Sequence, residues 1–235
     1  MSETANFYAL LAAHFPADRA KPALVVPGRR TLTYGELEER VARTANALAS
    51  LGARAGDRVA VQAEKSPDCV ALYLACLKAG FVYLPLNTAY TPAEIAYFLG
   101  DAEPAVFVCR PQDRERMAEA AGSIRIETLG AEGDGSLPAL VEAAAATGEA
   151  VDSGADDLAA ICYTSGTTGR SKGAMLTHRN MASNARTLHA LWGFRPDDVL
   201  LHALPIFHVH GLFVALHTAL LNGSTILFLP KFDAA

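Results

Sequence analysis

The 235-residue sequence has little charge of either sign and few cysteines. Charged residues make up 19% of the chain and form no run of one sign, whereas hydrophobic residues make up 51%. This composition excludes a disordered tail. The small acidic excess, 25 acidic against 20 basic side chains, also argues against a nucleic-acid surface, which needs clustered lysine and arginine. A chain of this length, one or two domains, buries roughly 70–75% of its unfolded surface.

The four cysteines stand apart, at positions 69, 76, 109 and 162, and no two form a CxxC pair. Their apolar neighbours favour buried free thiols in a reducing compartment over a disulfide framework or a zinc site. The opening residues, MSETANFYALLAAHF, lack a basic segment and predict a helix rather than a secretion signal. The most apolar later run, residues 209–221, is shorter than the roughly 20 residues that span a bilayer. We therefore expect a soluble, cytoplasmic protein with no membrane partner.

Short β-branched segments alternate with helical ones, and capping residues mark many boundaries. Thr33 with Glu36 and Thr91 with Glu94 have the capping-box pattern. Gly100 is the predicted end of the second of these helices. The alternation indicates βαβ units, and so an α/β fold of largely parallel sheets flanked by helices. Predicted strands cover residues 23–26, 31–33, 57–63, 82–86, 105–109, 124–129, 158–163, 174–177, 199–204 and 224–229.

Residues 130–155 differ from the rest, because a glycine-rich turn and an alanine-rich helix replace the strand pattern. They predict a surface excursion between a first α/β subdomain, residues 1–155, and the start of a second, residues 156–235. The last residues, PKFDAA, neither cap a helix nor close a domain. We therefore expect a truncated chain that lacks a C-terminal domain.

The most informative segment is YTSGTTGRSKG, residues 163–173, which follows a predicted buried strand. Ligands in α/β sheets bind beyond the carboxyl ends of strands, and glycines let backbone N–H groups approach an anion. The hydroxyl groups and the lysine are further donors to phosphate. The segment is not a Walker A loop, since Arg170 and Ser171 separate the second glycine from Lys172. Nor is Ser165 in a GxSxG elbow, since Tyr163 stands at the first glycine position. An unliganded hydroxyl-rich hairpin is the alternative.

This segment resembles the phosphate-binding signature of the adenylate-forming superfamily, which includes acyl-CoA synthetases, adenylation domains of peptide synthetases, and luciferases. Residues 32–37, 74–86, 156–159, 173–180 and 204–212 resemble other segments of the same superfamily. Residues 64–66, 85–91, 101–104, 207–212 and 229–233 are similar to its malonyl-CoA synthetase branch, which joins malonate to coenzyme A with ATP.

The resemblance implies a two-step reaction, in which a carboxylate attacks the α-phosphorus of ATP and the thiol of coenzyme A then displaces AMP from the acyl-adenylate. It implies that His208 lies beside the α-phosphate and the substrate carboxylate, where a neutral imidazole donates one hydrogen bond. The residues implied to hold the β- and γ-phosphates, with magnesium, are Thr164, Ser165, Gly166, Thr167, Thr168, Gly169 and Lys172.

The remaining histidines and the aromatic residues have simpler interpretations. His208 and His210 have the spacing of a metal-binding pair, but no third ligand is suitably spaced, so we predict no protein metal site. His210 is interpreted as structural, and His178, His189, His202 and His217 receive no role. The single tryptophan, Trp192, is expected in the core with the tyrosines and phenylalanines.

Segments that the superfamily uses for adenine, ribose, the hinge and the catalytic lysine have no counterpart in this sequence. We therefore expect no thioester-forming activity from this polypeptide alone. Another short-chain acyl-CoA synthetase, an amino-acid adenylation domain and a non-catalytic nucleotide-binding fragment remain open alternatives. The oligomeric state is not predicted.

Overall fold

The computed structural model describes residues 5–164, 170–195 and 197–233. Within them a 3₁₀ turn (Pro111–Asp113) and a π-helix (His210–Leu216) supplement the regular elements. The strands are β1 (Pro22–Val25), β2 (Thr31–Thr33), β3 (Arg58–Gln62), β4 (Val82–Pro85), β5 (Val106–Cys109), β6 (Arg125–Thr128), β7 (Leu158–Thr164), β8 (Lys172–Thr177), β9 (Val199–His202) and β10 (Thr225–Phe228). The α-helices are α1 (Phe7–Ala12), α2 (Tyr34–Ser50), α3 (Pro67–Ala79), α4 (Pro92–Ala102), α5 (Arg114–Ala121), α6 (Ser136–Ala143), α7 (His178–Trp192) and α8 (His217–Asn222).

The described strands form two sheets. The larger has six strands in the order β6-β5-β3-β4-β7-β8, and every neighbouring pair is parallel except β7 and β8. The smaller has the order β2-β1-β10-β9, in which only the β1–β2 hairpin is antiparallel. Helices α3, α4 and α5 each connect parallel strands. The prediction of largely parallel sheets flanked by helices is confirmed.

Both sheets take strands from either side of the predicted subdomain boundary at residues 155 and 156. Strands β7 and β8 extend the larger sheet, although they follow that boundary. Strands β1 and β2 belong to the smaller sheet, where Leu24 pairs with Ile226. The sheets therefore do not divide the chain at this point.

Local chemistry sets most helix starts where the sequence predicts them. The capping boxes Thr33–Glu36 and Thr91–Glu94 both form, with each hydroxyl accepting a backbone N–H and each carboxylate accepting one in return. The end of α4 was predicted at Gly100, and this is wrong, because the helix continues to Ala102. A glycine inside a helix costs only about 1 kcal/mol, so it does not by itself stop one. The helix stops at Glu103, whose φ is 46°, directly before Pro104.

The central strands β3, β4 and β5 of the larger sheet are buried on both faces, as expected for parallel strands. Val59 and Val61 of β3 point into a core shared with both sheets and α3, whereas Ala60 between them points into a second core against α4 and α5. Trp192 is not a core residue as predicted, because it lies on the outer face of α7 and is 56% exposed.

The four thiols are free, and three of them are buried in these cores. Among the residues that the structure describes, no helix is both long and apolar enough to cross a membrane.

Candidate functional site

The predicted phosphate loop joins two strands of an antiparallel hairpin. Strand β7 ends at Thr164, which pairs with Lys172 at the start of β8. The Thr164 Oγ1 atom lies 3.5 Å from the Lys172 carbonyl oxygen. Ser165, Gly166, Thr167, Thr168 and Gly169 lie outside the described residues, so their role as an anion cradle stays a prediction. The preceding strand is buried only at Ala159 and Ala160 and becomes exposed at Thr164.

Helix α4 braces the hairpin on both sides of the loop. The Tyr97 hydroxyl donates a hydrogen bond of 2.8 Å to the Ser171 carbonyl. The Tyr163 hydroxyl donates to the Asp101 carboxylate, and the Tyr163 ring packs 4.5 Å from the Phe98 ring. Burial and this carboxylate raise the pKa of Tyr163. Sequence reasoning missed this brace, although Tyr97 and Asp101 are four residues apart and so share one helix face.

Gly173 provides the room for the Ile161 side chain beside the Tyr163 ring. The two residues pair across the hairpin. A Cβ atom on Gly173 would lie 2.9 Å from the Ile161 Cγ2 atom and 3.5 Å from the Tyr163 ring. A glycine inside a strand often marks such a close approach.

A cavity of about 670 Å³ opens beside the end of β7. Its lining residues fall within 85–90, 162–164 and 204–211, which follow or end strands β4, β7 and β9. Thr164 and His208 both line it, so the structure brings these two predicted site residues together. Lys172 is exposed on the hairpin and does not line the cavity.

The wall of this cavity that includes His208 is the turn that begins the π-helix. The His208 carbonyl accepts the Leu212 N–H at 3.0 Å, and the His208 side chain is exposed beside Phe207, with ring centroids 4.6 Å apart. Gly211 packs directly on the backbone, because a Cβ atom there would lie 2.1 Å from the Pro205 carbonyl oxygen. Such π-helical turns are rare and often occur at functional sites.

Lys65 and His202 form a contact that sequence reasoning missed. Lys65 follows β3, and its Nζ atom lies 2.9 Å from His202 Nδ1, 2.8 Å from the His202 carbonyl oxygen and 4.3 Å from the centre of the Phe228 ring. His202 and Phe228 end strands β9 and β10, so the carboxyl edges of the two sheets meet here. Burial lowers the pKa of Lys65 to about 7. Residues 64–66 resemble a family segment in the sequence, and no local pattern links them to His202.

The sequence profile of the AMP-binding enzyme family matches residues 12–235, a match that covers most of the chain. The chain belongs to the AMP-binding enzyme family. Its membership confirms the family resemblance that the loop and the other segments indicated.

Solved structures of this family include MatB from Rhodopseudomonas palustris, which has been crystallised both in its apo form and with ATP bound. The apo structure superposes with a TM-score of 0.94 at 51% identity, covering 98% of this chain and 46% of MatB.

Curated members of the family also match this chain. A feruloyl-CoA synthase from an Amycolatopsis species is 36% identical over 208 residues, which cover 88% of this chain and 40% of the relative. The mitochondrial malonate–CoA ligase of Mus musculus is 34% identical over 211 residues, which cover 86% and 35%. The chain thus spans less than half the length of these relatives.

Proposed function

We propose that this chain provides the phosphate-binding and acyl-binding parts of an acid–thiol ligase that converts malonate, ATP and CoA to malonyl-CoA, AMP and pyrophosphate. The observation that carries the proposal is the meeting of Thr164 and His208 on one cavity at the carboxyl edge of a parallel sheet. Its support is the 51% identity to MatB, which binds ATP in a solved structure.

The first chemical step is the attack of a substrate carboxylate oxygen on the α-phosphorus of ATP, with pyrophosphate as the leaving group. This step requires alignment of the reactants and neutralisation of a polyphosphate charge, and little covalent chemistry from the protein. In the proposal the hydroxyl and backbone donors of residues 164–169 bind the β- and γ-phosphates. Lys172, exposed on the same hairpin, supplies a cation.

Magnesium fits this arrangement as an ion carried by the nucleotide. Mg²⁺ prefers oxygen ligands and is usually held by substrate phosphates with one or two protein groups. The described part of the chain contains no group of three or more histidine, cysteine, aspartate or glutamate residues that would form a protein cage. Thr164 presents an exposed hydroxyl oxygen at the end of β7 and would be one protein ligand. The ion, when bound, neutralises charge on the departing pyrophosphate.

His208 would orient the carboxylate. Its exposed imidazole lines the same cavity as Thr164, where its N–H can donate to the substrate carboxylate or to an α-phosphate oxygen. In the second step the thiol sulfur of CoA attacks the acyl carbon, the bond to the phosphate oxygen breaks, and AMP leaves with its electron pair. The thiol proton passes to solvent or to the departing phosphate.

Malonate is the acid that we propose, on two grounds. Residues 64–66, 85–91, 101–104, 207–212 and 229–233 resemble the malonyl-CoA synthetase branch, and one relative is a malonate–CoA ligase. The feruloyl-CoA synthase among the relatives defines the competing class, an aromatic acid.

Two measurements test the proposal. Calorimetric titration of this chain with ATP and pyrophosphate should show binding that Lys172→Ala weakens at least tenfold, whereas Lys231→Ala, a matched change at another exposed lysine, leaves it unchanged. A hybrid in which this chain replaces the matching part of MatB should release AMP with malonate and not with ferulate or benzoate. In this hybrid, His208→Ala should lower kcat/KM roughly 100-fold.

Opposite outcomes are equally clear. Pyrophosphate binding that is indifferent to Lys172 would contradict the phosphate site. A folded hybrid that binds ATP but activates no acid would favour a non-catalytic nucleotide-binding role, and a preference for ferulate would overturn the substrate.

A further inference from the structure

Lys65 links the two sheets at the edge where the candidate site lies. It follows β3 of the larger sheet, yet its Nζ atom hydrogen-bonds to both the side chain and the carbonyl of His202 in the smaller sheet. No carboxylate within the described ranges forms an ion pair with this ammonium group. The side chain therefore uses its donors on His202 and rests its charge over the Phe228 ring.

The direction of these hydrogen bonds is fixed by chemistry. In its protonated form Lys65 has donors only, and His202 Nδ1 then accepts from it. The other ring nitrogen, Nε2, lies 2.8 Å from the Gly211 carbonyl oxygen, which can only accept. The ring is therefore the neutral tautomer with its hydrogen on Nε2. Burial and the neighbouring Lys65 charge both lower the pKa of His202 and favour this neutral form.

The last acceptor in this series belongs to the turn that carries His208. Gly211 has no side chain, so it is its carbonyl and its backbone contact with Pro205 that hold it in a turn whose neighbours Ile206 and Leu212 are buried in the core. Lys65 also lines a second cavity of about 740 Å³, which shares Leu204, Pro205 and Phe207 with the first. A movement of Lys65 would therefore reach the wall on which His208 stands.

We propose that Lys65 is a positioning residue of this site, which through His202 and the Gly211 carbonyl fixes the turn that carries His208. The inference rests on the proposed function, in which His208 contacts the substrate carboxylate. Lys65 itself touches no reacting atom. Its loss should disturb the acid more than the nucleotide, because α4 braces the phosphate hairpin independently.

The first test is spectroscopic and needs no activity. Nitrogen-15 NMR of the His202 ring in this chain should show the Nε2–H tautomer. Lys65→Met, which keeps the length of the side chain but removes its donors, should weaken the His202 Nε2–H hydrogen bond to the Gly211 carbonyl and so shift the Nε2–H resonance, and Lys65→Arg should restore the parent resonance. Lys231→Met, at an exposed lysine on the same second cavity, is the control and should change nothing.

The second test is kinetic and uses the MatB hybrid described above. Lys65→Met should raise KM for the acid about tenfold and leave KM for ATP unchanged, since misplacement of a contacting group costs one to two orders of magnitude. If Lys65→Met does not fold, His202→Gln, which keeps a donor near the Nε2 position, should retain more activity than His202→Leu.

The results separate the two proposals. An unchanged His202 Nε2–H resonance in Lys65→Met, or a shifted resonance with unchanged KM for the acid, would overturn the positioning role. A parent hybrid without acid-activating ability would overturn the proposed function, while the NMR comparison would still decide whether Lys65 sets the state of His202.

Discussion

Replacement of Gly211 by alanine is the sharpest test of how the cavity wall is built. The new Cβ atom would lie 2.1 Å from the Pro205 carbonyl oxygen, whereas ordinary contacts of this kind begin near 3.4 Å, so the two backbones must separate by about 1.3 Å. Both partners are main chain, and no change of side-chain rotamer relieves the overlap. The Gly211 carbonyl would also move away from His202 Nε2.

The expected loss of stability follows from these two effects. Overpacking costs about 1–3 kcal/mol, and a weakened buried hydrogen bond adds about 1 kcal/mol. The unfolding free energy should therefore fall by about 3 kcal/mol. In urea, where m is about 1–3 kcal/mol/M for small proteins, the unfolding midpoint measured by circular dichroism should drop by roughly 1 M or more.

The matched control is Gly100→Ala on α4. A Cβ atom there would meet nothing within 4 Å, and the residue lies inside a helix, so alanine should stabilise the protein by about 1 kcal/mol. If Gly211→Ala leaves the midpoint unchanged, or raises it as the control does, the backbone contact with Pro205 does not constrain the turn and the reasoning fails.

Three further predictions concern His217, Tyr163 and Cys162. Burial lowers the pKa of His217 to about 3 from 6.5, so the unfolded state binds the extra proton and stability falls by about 1.4 kcal/mol per pH unit below 6.5. Urea titrations from pH 7 to 4 measure this pH dependence. His217→Phe should abolish the fall in stability, although it also removes the hydrogen bond to Tyr73. An unchanged pH dependence would contradict the prediction. Tyr163→Phe should cost about 1 kcal/mol, and a double-mutant cycle with Asp101→Ala should show coupling rather than additivity. Burial raises the pKa of Cys162 to about 11, so at pH 8 only about one thiol in 1,000 is ionised, and iodoacetamide should label it rapidly only after unfolding.

Short-range chemistry made much of the fold predictable from the sequence. The hydroxyl of Thr33 and the carboxylate of Glu36 are three residues apart, and they form the capping box wherever the rest of the chain lies. The same holds for Thr91 and Glu94. The predicted end of α4 was wrong because the sequence does not distinguish a glycine inside a helix from a glycine that follows one. The helix ends instead just before Pro104.

Long-range contacts account for what could not be predicted. Thr164 and His208 were placed at one site through family resemblance, and the structure shows that they line the same cavity. The Lys65–His202 contact joins parts of the chain from two sheets, and no local sequence pattern around either residue indicates the other. Membership of the two sheets was equally hidden, since alternation of strands and helices does not state which strands are neighbours.

The pairing of β1 with β10 also delays completion of the smaller sheet during synthesis. Leu24 cannot pair with Ile226 until that residue has been synthesised. A ribosome that adds about 5–20 residues per second needs about 10–40 s to make the intervening segment of about 200 residues. During that interval the β1–β2 hairpin has no parallel neighbour, and an open apolar edge invites aggregation. Strands β3 to β6, by contrast, are all translated well before β10. We therefore expect residues 22–33 to be a segment of the nascent chain that needs protection by chaperones.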